Sequence, residues 1–510
     1  MLTKILSTSN FGLKTIPIEV EVNVFKKGFP GFSIIGMPNK SVEEAKERVK
    51  TALINSGIDF PNLKIIVNLA PADIPKEGSS FDLPIAIGIL NSLEAIKLPK
   101  EKSYFYGELS LDGSLRHTKG TFLLALAAKE GKIRNIFIPK DSSNEAAAIT
   151  DVNIYPVETL QQLILHLNGV EQIKLVKKQK ERESKNYLNP EFDFSDIIGQ
   201  EQAKRALMIA AAGGHNIFMQ GPPGSGKTML ARALSGILPP LSLDESLEVT
   251  KIYSVTGNIA PGASLVYVRP FRSCHHTTSR IGLVGGGSNP HPGEISLAHL
   301  GVLFLDEFPE FSRSTLEALR QPMEDGMVNI SRAAGSIAYP ASFMLVAAAN
   351  PCPCGYLGDP KKECTCSPRM IMRYTSKLSG PLMDRIDLHI NVPAVEVEKL
   401  MDEKNYKKGQ TSKEIREKVE RARKMQQTRF KKEGIYMNAH MKNKHVSKFC
   451  KIEPSALLIL KQAVNAYNLS ARTYFRLIKV SQTIADLEGI DSIKDNHVAE
   501  ALQYRIRVEN

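Results

Sequence analysis

Tryptophan is absent from this chain, aromatic residues make up only 7% of it, and no uninterrupted apolar stretch approaches the roughly 20 residues that a membrane-spanning helix needs. That excludes a bilayer-spanning helical protein and predicts a soluble one. The first residues, Met1-Leu2-Thr3-Lys4-Ile5-Leu6-Ser7, carry neither the apolar core nor the cleavage site of a secretory signal. Together with the nucleotide motif described next, this predicts a cytoplasmic protein, in which the six cysteines are not expected to form disulfides. At 510 residues the chain exceeds what one core usually covers, so three domains are expected.

What is present begins with Gly221-Pro222-Pro223-Gly224-Ser225-Gly226-Lys227-Thr228, directly after the apolar run Ile217-Phe218-Met219, which reads as a buried strand. This is a complete phosphate-binding loop in its strand-loop-helix context. The glycines let backbone N–H groups turn toward phosphates, Lys227 reaches the β- and γ-phosphates, and Thr228 offers a hydroxyl to Mg²⁺. ATP and Mg²⁺ are the expected cofactors.

A second apolar run, Val302-Leu303-Phe304-Leu305, ends in Asp306-Glu307, the pattern of a Walker B strand. Asp306 is expected to hold Mg²⁺ through water and Glu307 to polarise the attacking water as general base. A third run, residues 343–349, ends in Asn350, whose amide can orient the same water. The plainer reading of Asn350 is a turn residue before Pro351.

The net charge of +12 is unevenly spread: residues 404–450 hold 15 Lys/Arg against 4 Asp/Glu. Such a block can neutralise nucleic-acid phosphates. It can equally be a solvated helical face, since residues 412–430 have helical spacing with Glu414, Glu417 and Glu420 among the bases. A second basic run, residues 174–185, precedes Tyr187-Leu188-Asn189-Pro190 and reads as an interdomain linker.

Four of the six cysteines fall at Cys352, Cys354, Cys364 and Cys366, as C-x-C, nine residues, C-x-C. Four thiolates at these positions can close a tetrahedral Zn²⁺ site; free structural thiols and a redox switch are the other readings. Cys274 and Cys450 read as unrelated single thiols. The pair His275-His276 has no partners at ligand spacing in the sequence and is expected to pack or hydrogen-bond.

Before the linker, strand and helix signals alternate. Residues 19–25 and 64–70 read as strands, and Ser41-Val42-Glu43-Glu44 as a capping box for a helix running to about Ser56 and stopping at Gly57. Pro75-Lys76-Glu77-Gly78-Ser79-Ser80, opening a helix at about Leu83, and Gly107-Glu108-Leu109-Ser110-Leu111-Asp112-Gly113, before a helix through Ala127, resemble segments of the proteolytic domain of Lon proteases. That resemblance implies a serine at Ser80 but puts Phe122 at the position of the lysine base, which breaks the dyad. Lys119, one helical turn earlier, is the remaining candidate base, and a retained, inactive Lon-like domain is the favoured reading.

Phe194-Ser195-Asp196-Ile197-Ile198-Gly199-Gln200 resembles the adenine-side segment of AAA+ ATPases. Pro381-Leu382-Met383-Asp384-Arg385-Ile386-Asp387 resembles the arginine-finger segment of the magnesium chelatase and minichromosome maintenance branch, and Ser470-Ala471-Arg472 its sensor 2. The resemblance implies that Arg385 acts in trans on a neighbour's γ-phosphate, and hence an oligomer; a surface salt bridge is the plainer reading, and Arg476 competes with Arg472. Further segments are Phe271-Arg272-Ser273-Cys274-His275-His276-Thr277, Gly285-Gly286-Gly287, Pro292-Gly293-Glu294-Ile295-Ser296-Leu297-Ala298-His299 and Asn350-Pro351-Cys352-Pro353-Cys354-Gly355. With these the whole chain resembles the ComM/YifB family of magnesium chelatase-like ATPases, departing from it at Cys274, where proline is expected.

The resemblance implies a bacterial hexameric motor that moves along DNA and drives branch migration in natural transformation, with recombination proteins as further partners. The fold class expected is α/β: a Lon-protease-like domain over residues 1–170, a basic linker over 171–191, an AAA+ core with a parallel sheet over 192–395, and a helical lid over 396–510. The Gly-rich insert of residues 270–296 and a hairpin over residues 325–339 are expected to reach DNA through Arg280 and Arg332. The alternatives are a magnesium chelatase-type subunit or protein remodeller, and an ATP-dependent protease, against which Phe122 stands.

Overall fold

In Lys14–Phe25 every second residue is apolar, so one face of the strand, Ile18, Val20, Val22 and Val24, is buried while Glu19 and Glu21 face outward and pair with Lys4 at 2.6 and 3.1 Å. In the computed structural model, which describes residues 2–26, 29–176, 192–260, 262–287, 290–332, 335–359, 362–395, 409–431 and 433–505, this strand belongs to a seven-stranded mixed sheet. Its order is Gly31–Ile35, Lys64–Ala70, Lys14–Phe25, Leu2–Phe11, Ser103–Phe105, Asn135–Pro139 and Asn153–Val157. The helix Asp82–Ser92, apolar on nearly every side, is buried against its two longest strands. The linker expected over residues 171–191 lies outside the described residues from 177 onward.

Between these strands the expected single helix is two, Lys40–Glu43 and Ala45–Asn55. The cap is Asn39, not Ser41: its backbone is extended, as an N-cap requires, and its side chain accepts from the Val42 N–H at 3.0 Å, which leaves Ser41 inside the first turn. Gly57, at φ 81°, ends the second helix where expected.

The central sheet is five-stranded and parallel, in the order Phe271–Cys274, Val302–Leu305, Met344–Ala349, Ile217–Gln220 and Leu388–Asn391. The four-residue strands Val302–Leu305 and Ile217–Gln220 read as buried because they carry almost no polar residue. Phe271–Cys274 was expected to be part of an insert; it is instead the edge strand beside Val302–Leu305. Its polar Arg272 and Ser273 hide it from a hydrophobic reading, and an edge position tolerates them: Arg272 reaches Glu294 in a two-pronged pair at 2.6 and 2.8 Å. Only the remainder of the insert, from His275 on, projects from the sheet as the helix Arg280–Val284 and the Gly285–Gly286/His291–Pro292 ribbon.

The C-terminal helices Ser412–Phe430, Asn443–Phe449, Pro454–Ala466, Ala471–Glu488 and Asp495–Gln503 share one apolar core with the phosphate-loop strand and helix, through Leu207, Ile217, Leu234, Val419, Leu477 and Ile484. A buried polar brace crosses the same boundary: Asp387, beside the last strand, meets Arg476 at 2.5 Å and His215 at 3.3 Å. Burial alone would raise the Asp387 pKa, but Arg476, His215 and Lys479 outweigh it and hold the carboxyl below its ordinary range. A folded-state pKa below the unfolded value of about 3.9 stabilises the fold above that pH, and the contribution is lost as pH falls below it. The thermal unfolding midpoint is therefore expected to drop below about pH 4. Asp387→Asn should flatten that dependence and cost about 3–5 kcal/mol at neutral pH by leaving Arg476 unpaired; an acid limb unchanged in the variant would remove Asp387 from the account.

Candidate nucleotide site and its neighbours

All five parallel strands run the same way, so the segments that follow them emerge at one edge of the sheet, where open α/β sheets bind ligands. The phosphate loop follows Ile217–Gln220, Asp306 and Glu307 follow Val302–Leu305, and Asn350 follows Met344–Ala349. Gly221 is required by close approach, since a Cβ there would stand 2.1 Å from the Val392 carbonyl oxygen, and Gly226 by its φ of 85°. The Lys227–Ile237 helix opens immediately after the loop.

Lys227 is largely buried, and its Nζ donates to the carbonyls of Gly221 and Pro222 at 2.7 and 2.8 Å and to Asn350 Oδ1 at 3.2 Å. Burial lowers its pKa, with Asp306 opposing. The Thr228 hydroxyl donates to Asp306 Oδ2 at 2.9 Å. Hydroxyl, carboxylate, amine and amide from the segments that follow three different strands thus come together, the chemistry that a nucleotide's phosphates and their divalent cation require.

Glu307 is a non-glycine residue at φ 49°, a strained backbone that turns its side chain out of line with the preceding strand. Its carboxylate meets His276 Nδ1 at 2.8 Å, and the His275 ring lies with its centroid 4.0 Å from that of His276. His275 also bonds the Thr277 hydroxyl at 2.9 Å. His275 hydrogen-bonds and the two rings pack at a tilt of 36°, as expected, but the pair does have a partner at ligand distance: His275, His276 and Glu307 offer three ligand atoms within 4.8 Å of one another. The two segments meet because they leave neighbouring parallel strands whose last residues, Cys274 and Leu305, are paired.

Arg385 is buried, donates to the Pro381 carbonyl at 2.6 Å and pairs with Glu324 at 2.6 Å; its Nε is buried with no hydrogen-bond partner among the described residues. Arg472, half exposed, pairs with the same Glu324 oxygen at 3.1 Å. The two sequence-predicted arginines are thus brought together on one carboxylate, while Arg476 is engaged in the Asp387 brace.

Cys352, Cys354, Cys364 and Cys366 gather with their sulfurs within 4.8 Å of one another, three of the separations being 3.3, 3.6 and 3.6 Å. Zn–S bonds of about 2.3 Å in a tetrahedron place sulfurs about 3.8 Å apart, so small outward shifts let the four thiolates fit zinc.

Arg280 is exposed at the start of its helix. The hairpin Met327–Arg332/Gly335–Pro340 pairs Arg332 with Gly335 beside the tip, whose residues 333 and 334 lie outside the described ones. The basic block is split. Arg416 and Arg423 donate inward to the carbonyls of Gly236 and Ala211, and Arg429 pairs with Asp486 at 2.6 Å, whereas Lys413, Arg421 and Lys424 are exposed. Residues 404–408 lie outside the described ones.

In the N-terminal part, Ser80 lines a cavity of about 400 Å³ with Ser79, Glu108, His117, Lys119 and His291. Its hydroxyl bonds with Tyr106, whose own hydroxyl donates to the Lys119 carbonyl at 2.8 Å. Phe122 is fully buried in the Thr121–Glu130 helix, and the Lys119 stem lies across Gly257, where a Cβ would stand 2.7 Å from its Cε.

Among the described residues, no helix is long and apolar enough to cross a membrane. Family models described as magnesium chelatase, subunit ChlI, match residues 193–400, with a further ChlI model over residues 20–142 and a ChlI C-terminal model over residues 409–505. The chain is 44% identical to the competence protein ComM of Haemophilus influenzae over 99% of its length and 97% of that protein. It is 43% identical to the protein YifB of Escherichia coli over 97% of its length and 95% of that protein. To the magnesium-chelatase 67 kDa subunit of Chlorobaculum parvum it is 31% identical, over 31% of this chain and 23% of that one. The chain belongs to the ComM/YifB family of magnesium chelatase-like AAA+ proteins, a family that implies ATPase activity with ATP and Mg²⁺.

Proposed function

We propose that the chain is an ATP-hydrolysing motor acting on DNA, a hexameric helicase that promotes branch migration in recombination during natural transformation. The observation that carries the catalytic half is the convergence of Lys227, Thr228, Asp306, Glu307 and Asn350 at one edge of the sheet. The DNA half rests on near full-length likeness to a protein named for competence, with exposed bases on the insert and lid in support.

In this reading Gly221, Pro222, Pro223, Gly224, Ser225 and Gly226 wrap the phosphates, and Lys227 neutralises the β- and γ-phosphates. Thr228 and Asp306 orient Mg²⁺, which when bound screens phosphate charge. Glu307 is the general base, Asn350 positions the water, and Arg385 and Arg472 serve a neighbouring subunit's nucleotide. Arg385 must leave Glu324 to do so, which assembly of a ring would supply. Residues 1–170 form a Lon-like domain without proteolytic activity, since Phe122 cannot move a proton. Residues 171–191 form the linker, 192–395 the AAA+ core and 396–510 the lid. The four cysteines hold Zn²⁺, and the protein works in the cytoplasm, with recombination proteins as partners.

The second reading, a chelatase subunit or protein remodeller, has in its favour the ChlI family models and the part of the chain shared with the chelatase subunit. ATP turnover measured with single-stranded, duplex and forked DNA separates the two. DNA should stimulate turnover, and affinity should fall steeply between low and physiological salt, with a log–log slope of about 0.9 per duplex phosphate neutralised. Arg280→Ala or Arg332→Ala should lower that slope by about one and weaken stimulation without changing ATP affinity. Turnover indifferent to every DNA form but raised by a tetrapyrrole or a folded protein would reject the motor in favour of the alternative.

A further inference from the structure

We infer that the four-cysteine cluster is a metal-dependent brace of the phosphate loop, so that zinc occupancy sets the affinity for nucleotide. The inference rests on the ATP-site reading above and concerns what holds that site in shape.

The cluster is not a remote appendage. Its first cysteine follows Asn350 by two residues, and Asn350 Oδ1 is 3.2 Å from Lys227 Nζ. Between the two C-x-C pairs the chain turns through Gly355 at φ 87°, and this turn lies directly on the loop: a Cβ on Gly355 would stand 2.6 Å from Cδ and 2.7 Å from Cγ of Pro223. On the far side, Cys366 leads into Ser367, which caps the Pro368–Thr375 helix, and that helix returns Tyr374 to a hydrogen bond with the Asn350 backbone. The segment therefore leaves Asn350, touches the phosphate loop at Pro223, and comes back to Asn350.

Little apolar packing holds this excursion. Among the described residues between 350 and 375, Cys352, Gly355 and Tyr374 are the only buried ones, and Gly355 has no side chain to pack. A chain excursion with so few buried side chains needs a cross-link to keep one conformation, and four thiolates on one metal provide it. With the metal in place, the Gly355 turn is a fixed wall against Pro223. Without it, the wall and the strand end that carries Asn350 lose their tether together, and the loop must be ordered by the nucleotide itself, at the expense of affinity.

The test uses the full-length chain purified without added metal. Bound zinc is measured by atomic emission, and affinity for a fluorescent ATP analogue is measured with Mg²⁺ present. Three proteins are compared: wild type, Cys364→Ser and Gly355→Ala. Cys364 is a ligand on the arm away from the loop, so its loss opens the cluster without touching Pro223 directly. The wild type should carry one zinc per chain. Cys364→Ser should lose it and bind the analogue on the order of tenfold more weakly, with its far-ultraviolet circular dichroism unchanged. Gly355→Ala should keep zinc yet bind more weakly, because the added methyl presses on Pro223. Wild-type protein without zinc, or Cys364→Ser protein that lacks zinc but binds the analogue as tightly as wild type, would overturn the inference. Zinc-loaded wild type that binds no nucleotide would instead overturn the ATP-site reading, and this coupling with it.

Discussion

Lys227→Ala is expected to abolish nucleotide binding, whereas Glu307→Gln should leave binding intact and reduce turnover by a factor of about 10²–10⁴, the range a general base contributes. The separation follows from position. Lys227 sits within the loop, its amine among the Gly221, Pro222 and Asn350 oxygens, and in the proposed reading supplies charge to the phosphates themselves. Glu307 stands outside that cluster, its carboxylate turned to His276, and in the proposed reading acts only on the water. Binding of a fluorescent ATP analogue beside phosphate release measures both. Near wild-type hydrolysis by Glu307→Gln would remove this residue from the base role.

Arg385→Ala should bind ATP as wild type does and hydrolyse it about 10³-fold or more slowly, the effect expected when an arginine finger is lost. Under the proposed trans-acting role, mixing it with Lys227→Ala protein should restore part of the turnover, because each variant would complete a site that the other lacks across a subunit interface. The pairing of Arg385 with Glu324 at 2.6 Å in the single chain gives this experiment an added control. If the arginine served only that internal ion pair, Arg385→Ala would lower the unfolding midpoint and mixing would restore nothing. Failure of rescue where mixed oligomers demonstrably form would count against a trans-acting finger.

The parts of the candidate site legible in the sequence are those built from contiguous residues. The phosphate loop, Asp306-Glu307 and Asn350 each follow a short apolar strand within a few residues, and the strands bring them to one edge because parallel strands share a direction. The cysteine cluster was legible for the same reason, two tight C-x-C pairs being separated by only nine residues. What was not legible depends on register and on edges. Phe271–Cys274 carries Arg272 and Ser273 and has a strand neighbour on one side only, so nothing in its composition marks it. Without it, nothing in the sequence brings the segment after Cys274 beside the one after Leu305. The basic block misleads in the opposite sense, because charge counting does not distinguish Arg423, buried against the Ala211 carbonyl, from exposed Lys424. At the start of the Lys40–Glu43 helix Ser41 with Glu44 spells a capping box, but the extended backbone that an N-cap requires lies at Asn39, which that pattern passes over.

The central claim is that ATP hydrolysis by this chain moves branched DNA, and a mobile four-way junction with labelled arms tests it directly. With ATP and Mg²⁺, the wild-type protein should convert the junction to its duplex products, the Glu307→Gln protein should bind the junction without converting it, and a non-hydrolysable analogue should support no conversion by either. Junctions that remain intact while wild-type protein hydrolyses ATP in their presence would contradict the account.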